Sequence, residues 1–102
     1  MIKVQYSERN GETIVAFNGQ LNFAANEEIQ RVIEKLSDQK NRNVEFDLDG
    51  VSHIDSVGLG MLYIAQEELS ARGSKLRLVR PRDGVNRLLQ LTDAYRTFEI
   101  VG

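Results

Sequence analysis

At 102 residues, with 41% apolar and 27% charged side chains, the chain has the size and composition of one globular domain, which excludes extensive disorder and a second domain with its own core. Its 13 basic residues are interspersed among 15 acidic ones for a net charge of −2, leaving no electrostatic case for nucleic acid or an acidic membrane surface. No cysteine and a single histidine, His53, exclude a disulfide framework, a thiolate metal site and a histidine cluster.

The opening residues, Met1 to Tyr6, lack the apolar stretch of a signal peptide, and no run approaches the roughly 18 apolar residues of a membrane span. A cytoplasmic protein with no membrane insertion is expected. Ile2, Val4 and Tyr6 alternate with polar residues, and a second β-prone run, Thr13 to Phe17, follows Asn10-Gly11. That dipeptide tolerates positive φ at both positions and predicts a hairpin, with a loop from about Ser7 to Gly11. Asn18-Gly19-Gln20 is expected to end the second strand.

Ile29, Val32, Ile33 and Leu36 fall at i, i+3, i+4 and i+7 and predict a helix. Glu27 and Glu28 near its start and Lys35 and Lys40 near its end suit the helix dipole. Its cap is Asn22 or Asn26, both good cap types. A strand over Val44 to Leu48 comes next, then Ile54 to Leu62, then helix to about Ala71, closed by Arg72 and Gly73. Lys75 to Val79 reads as a strand stopped by Pro81. Asp83 is expected to cap a short helix bearing Val85, Leu88 and Leu89, and Phe98 to Val101 is either a last strand or a docked tail.

Strands separated by helices imply βαβ units and parallel pairing. Val44 to Leu48 and Lys75 to Leu78 alternate apolar and charged residues, whereas strands covered on both faces are nearly continuous in apolar residues. The expected fold is therefore α/β: a single mixed sheet, made of an N-terminal hairpin and parallel βαβ strands, with helices on one face. Glu45 and Asp47 would then stand opposite Lys75 and Arg77 on the uncovered face as exposed charge pairs.

Ser56 falls where a strand hands over to a helix. Its hydroxyl can serve as a helix cap, a role Asp55 fills equally well. Alternatively, the unpaired N–H groups and positive dipole end there tolerate a phosphate. Gly58 and Gly60 each cost about 1 kcal/mol against alanine in a helix interior, so close packing or a partner's approach must compensate. Gly58 lies on the inner face with Leu62, Ala65 and Leu69. Leu59 and Tyr63 lie away from it, either exposed as a docking surface or buried under neighbouring helices.

No catalytic constellation emerges. His53, Asp55 and Ser56 stand too close together on one strand end to form a nucleophile, base and orienter relay. Ile54 replaces the first glycine of G-x-S-x-G, and Tyr63 replaces the third of G-x-G-x-x-G. Asp47, Asp49 and Asp55 read as ordinary surface and loop acids rather than metal ligands.

Ile54-Asp55-Ser56-Val57-Gly58-Leu59, preceded by an acidic alternating strand, resembles the phosphoacceptor motif of STAS domains of the bacterial anti-sigma factor antagonist type. Gly19-Gln20-Leu21-Asn22 resembles that family's loop before the first helix, and Leu88 to Thr92 followed by Phe98 its C-terminal segment, so the likeness spans nearly the whole chain. It implies one STAS-like domain over residues 1–102 that binds an anti-sigma factor, often a serine kinase. The kinase phosphorylates Ser56 and a metal-dependent Ser/Thr phosphatase reverses this. No cofactor or catalysis by the chain itself is implied. Asn22, Asp55, Ser56, Val57, Gly58, Leu59, Gly60 and Tyr63 would form the partner-binding site. Asn22 stands where relatives often carry an acid, and Val57 where many have a small or hydroxyl residue. Other STAS domains serve membrane transporter ATPases as docking or regulatory subunits, the alternative role.

Overall fold

The computed structural model describes residues 2–38 and 42–102. Five strands form one mixed sheet: β1 (Lys3–Arg9), β2 (Glu12–Leu21), β3 (Val44–Ile54), β4 (Leu76–Val79) and β5 (Glu99–Val101). Strand order follows chain order, with β1 and β2 antiparallel and every later pair parallel. Helices α1 (Asn26–Leu36), α2 (Ser56–Ala71) and α3 (Asp83–Leu91) make the three crossovers. Each crossover steps in the same direction, so crossovers of one hand place all three helices on one face.

The hairpin forms at Asn10-Gly11, whose φ values of 53° and 81° are those a two-residue turn of primed type requires. Its loop is shorter than expected, because pairing continues to Arg9 opposite Glu12. Asn18-Gly19-Gln20 does not end β2 either. The ladder with β3 shifts register between Ala16 and Asn18 and again between Gly19 and Gln20, so the glycine marks an irregularity inside a longer strand. The partner strand is correspondingly longer, since β3 continues past Leu48 to Ile54.

Phe17 and Phe46 meet edge to face at 5.0 Å in the centre of the core, among Leu21, Leu48, Leu62, Leu78 and Leu89. The α1 stripe Ile29, Val32, Ile33 and Leu36 is buried as its spacing predicts. Lys40, expected near the end of that helix, lies outside the described residues. The end of α2 is fixed by Gly73 at φ 78°, with Ser74 N–H donating to Leu69 O and Gly73 N–H to Ser70 O, both at 3.0 Å. Asp83 does not cap α3. It is the first helical residue, behind an extended Arg82, and its carboxylate meets the dipole rather than a backbone amide. Residues 98–101 end as a strand, β5, along β4.

The uncovered face carries charge pairs, with two corrections. Glu45 pairs with Arg77 at 2.8 Å as expected, but it is buried, because Arg9 at 3.4 Å closes over it as well. The Glu45 hydrogen bond holds the Arg77 guanidinium above its ordinary pKa. Asp47 is engaged by Arg80, not by Lys75 or Arg77.

The tightest constraint lies between α2 and the end of β2. A Cβ placed on Gly58 would fall 2.0 Å from the Leu21 carbonyl oxygen and 2.6 Å from its carbon. Backbone atoms cannot move aside as a side-chain tip can. Gly58→Ala is therefore expected to destabilise the fold by about 1–3 kcal/mol through overpacking, read from the shift in a urea unfolding midpoint. An unchanged midpoint would show that α2 sits less closely.

Candidate functional site

The site is built where β2 and β3 end side by side. Leu21 pairs with Ile54, so the residues that follow, Asn22 and Asp55, leave the sheet together. Asp55 N–H donates to Leu21 O at 3.3 Å, tying the two exits to each other. Asp55 is extended, and its carboxylate accepts from Gly58 N–H at 2.8 Å while its carbonyl accepts from Leu59 N–H at 2.9 Å. Asp55 is thus the cap of α2, and Ser56, the first helical residue, is not.

This division of labour decides what Ser56 offers. Its side chain is exposed and is not required to close the helix. Helix geometry leaves the N–H groups of Ser56 and Val57 without carbonyl partners within the helix. An anion attached to Ser56 would meet the positive end of a 16-residue helix, with the Asp55 carboxylate as its nearest fixed negative charge.

Asn22 serves its own loop. Its Oδ1 accepts from Ala24 N–H at 3.0 Å, capping a short 3₁₀ turn over Phe23–Ala25, and its Nδ2 donates to Gln20 Oε1 at 3.1 Å. Neither of the two expected residues caps α1: Asn22 caps the 3₁₀ turn, Asn26 is already the first residue of α1, and Ala25, which precedes it, has no side-chain cap to offer. The amide of Asn22 is engaged at both ends within its own loop, and no hydrogen bond among the described residues joins it to the Ser56 segment.

On α2, Gly58 is buried with Leu62, Ala65 and Leu69, as its helical position predicts. Leu59 is buried at 7% exposure and Tyr63 is half-buried, its ring 4.9 Å from Phe98. Of the two arrangements open to Leu59 and Tyr63, packing under neighbouring elements holds for Leu59 and partly for Tyr63. The exposed apolar residues of the helix are Val57 (45%) and Ile64 (50%), and Phe23 (75%) stands on the 3₁₀ turn that packs against α2. Sequence reasoning missed Phe23 and Ile64. Ile64 lies seven residues after Val57, two turns along the same face, and that spacing was the available signal.

Gly60 differs from Gly58. A Cβ there would meet no atom within 4 Å beyond the backbone of its own helix, so packing against the rest of the molecule does not require glycine. It opens a gap in the exposed stripe between Val57 and Ile64.

Among the described residues, no three His, Cys, Asp or Glu side chains are grouped to hold a metal ion. Asp47 is occupied by Arg80 and by the Asp49 N–H at 3.0 Å, and Asp55 by the helix cap.

Comparison with known proteins then decides the family, since the STAS domain model matches residues 3–101. The chain belongs to the STAS domain family. It is similar to a Thermotoga maritima protein provisionally described as an anti-sigma factor antagonist, at 25% identity and a TM-score of 0.79 over 97% of this chain and 86% of that one. It shares its fold with the anti-sigma factor antagonist SpoIIAA in its unphosphorylated form, at 20% identity and a TM-score of 0.77 over 98% of this chain and 89% of that one. The phosphorylated form of the Bacillus protein SpoIIAA matches at 19% identity and a TM-score of 0.71, over 98% of this chain and 92% of that one. It also shares its fold with part of the murine anion transporter Slc26a9, at 22% identity and a TM-score of 0.76 over 92% of this chain and 16% of the transporter. No described helix is long and apolar enough to cross a membrane.

Three substitutions separate the roles of this STAS segment. Asp55→Ala is expected to lower stability by about 1 kcal/mol through loss of the cap. Ser56→Ala should stay within about 0.5 kcal/mol of the parent, as an exposed residue with no structural bond. Gly60→Ala should raise stability by about 0.5–1 kcal/mol. Denaturant titrations of the three check the assignment, and a loss in Ser56→Ala matching that in Asp55→Ala would contradict it.

Proposed function

We propose that this STAS domain is an anti-sigma factor antagonist: a non-enzymatic, cytoplasmic protein that binds an anti-sigma factor with serine kinase activity and is controlled by reversible phosphorylation of Ser56. The observation that carries the reading is the capping of α2 by Asp55, which leaves the Ser56 hydroxyl exposed and structurally unneeded at a helix N-terminus. The kinase would transfer the γ-phosphoryl group of ATP to Ser56 Oγ, releasing ADP and the hydroxyl proton, and a metal-dependent Ser/Thr phosphatase would hydrolyse the ester. The likeness to SpoIIAA, whose structures are named for unphosphorylated and phosphorylated forms, supports this choice of switch.

The partner would contact Ser56, Val57 and Gly60 directly, with Phe23 and Ile64 extending the apolar part of the surface. A partner's main chain can approach closely over Gly60, which accounts for a glycine that internal packing does not demand. Asn22, Asp55, Gly58 and Leu59 would act from beneath, holding the loop and the first helical turns in place, and Tyr63 would border the site from its seat on Phe98. Phosphorylation would add roughly −1.5 to −2 charges at the centre of the surface and oppose binding of an apolar or acidic partner.

A second reading is favoured by the fold shared with Slc26a9. That likeness speaks for a membrane transporter and not for an ATPase in particular; in this reading the same surface is a constitutive docking face of a transporter, of which a transporter ATPase is one kind, and Ser56 carries no switch.

Incubation with the partner kinase and ATP should add one phosphoryl group, located at Ser56 by tandem mass spectrometry and absent in Ser56→Ala. A phosphate found elsewhere, or none from a kinase active on another substrate, rules out the switch. Copurification with a transporter ATPase that is indifferent to Ser56→Glu would establish the second reading.

A further inference from the structure

The two edges of the sheet are not alike. β5 offers only three residues, whereas β1 offers seven, Lys3–Arg9, paired with β2 without a register break. The irregularities in the sheet lie between β2 and β3, and the single proline, Pro81, is in neither edge. Exposed edges are usually blunted by shortness, bulges, proline or charge. β1 has charge only towards its ends, at Lys3, Glu8 and Arg9, and Val4-Gln5-Tyr6-Ser7 between them is uncharged.

The hairpin fixes which amides that edge presents. A two-residue turn closes on a hydrogen-bonded pair, here Arg9 and Glu12, and bonded pairs then alternate through Ser7 with Ile14 and Gln5 with Ala16. The N–H and C=O groups of Val4, Tyr6 and Glu8 therefore point away from β2. Thr13, opposite Glu8, agrees with this phase, because its N–H donates to Asn43 O at 3.1 Å on the far side of β2.

Beside this edge runs a groove of about 580 Å³ between β1 and α1. Ile2, Val4 and Tyr6 give it an apolar lining, and Lys3, Arg31 and Lys35 stand around it with Glu28 as its lone acid. Lys35 holds its ammonium 4.0 Å over the Tyr6 ring, while Arg31 engages both Glu28 and, at 3.8 Å, Glu27. Lys35 is thus a cation of this groove that no carboxylate engages among the described residues.

We propose that the β1 edge and its groove form a docking site for an extended, acidic segment of a partner protein, added as a further strand with a carboxylate directed at Lys35. The seven residues of β1 span roughly 23 Å at about 3.3 Å each, enough for a heptapeptide. Main-chain bonds to Val4, Tyr6 and Glu8 would supply the pairing, and alternate side chains of the segment would enter the groove. A second copy of this chain fits less well. Antiparallel pairing of two β1 strands through the same amides, centred on Tyr6, sets Lys3 against Arg9 of the other copy, and like charges directly opposite destabilise a ladder. The site is separate from Ser56, so its test is independent of the phosphorylation reading.

The probe is the blocked peptide acetyl-Thr-Val-Thr-Glu-Thr-Val-Thr-amide, which presents Val, Glu and Val on one side, with its Glu-to-Lys counterpart as control. Titration to about 1 mM, followed by NMR, should shift the amides of Val4 to Glu8 and slow hydrogen exchange at Val4, Tyr6 and Glu8. The lysine peptide should bind about two- to fivefold more weakly, Lys35→Glu should weaken the acidic peptide by a similar factor, and added salt should reduce the difference. Tyr6→Pro removes an outward N–H while sparing the ladder to β2, and should abolish binding. No binding, equal binding of both peptides, shifts located elsewhere, or self-association of the chain through β1 would each overturn the proposal.

Discussion

The contact on which the candidate site depends is the seat of α2 on the end of β2. The Leu21 carbonyl accepts the Asp55 N–H and lies where a side chain on Gly58 would have to be. With no Cβ in the way, the helix begins directly against the strand exit, and Asp55 can turn back to cap it. The position of Ser56 follows from these two residues. A larger residue at 58 would push the helix away, and a non-capping residue at 55 would leave Ser56 as the side chain best placed to close the first turn. The exposed serine is therefore a consequence of its neighbours' commitments more than of its own bonds.

Much of this arrangement was legible in the sequence because it rests on local rules. Asn10-Gly11 announces a hairpin through its φ preferences, α1 through the spacing of Ile29, Val32, Ile33 and Leu36, and the one-sided sheet through the alternation in β3 and β4. What escaped was what distant parts of the chain decide. Asn18-Gly19-Gln20 looks like a break by composition, yet pairing with β3 carries the strand through it. Glu45 looks exposed by alternation, yet Arg9 and Arg77 arrive from β1 and β4 to bury it. For Leu59 and Tyr63, helical angles give direction but no neighbours, and it is Phe98, 35 residues after Tyr63, that half-covers the tyrosine.

The two glycines illustrate the same limit. Both depart from helix propensity by a similar amount, and although helical position puts Gly58 on the inner face with Leu62, Ala65 and Leu69, it does not tell how closely anything approaches either residue. Their surroundings do, since one abuts a carbonyl and the other faces open space. A helix glycine that packs against something is explained by the fold. One that packs against nothing is a local inconsistency of the kind that gathers at functional positions, and here it lies one turn from Ser56.

The same geometry bears on how a phosphate on Ser56 would act. Within the domain its effects oppose each other: the helix end and the unpaired amides favour the added charge, and the Asp55 carboxylate disfavours it. Both act across an exposed surface, where single charge interactions amount to about 1 kcal/mol or less, so the fold has little reason to respond. A partner covering Val57 and Gly60 would face a different balance. It would have to strip water from a doubly charged group, and an unpaired buried charge costs several kcal/mol. Asn22, an amide already bound within its own loop, neither adds to that penalty nor relieves it. The sensitivity of such a switch would therefore lie in the partner's need to desolvate Ser56 and not in any rearrangement of the STAS domain.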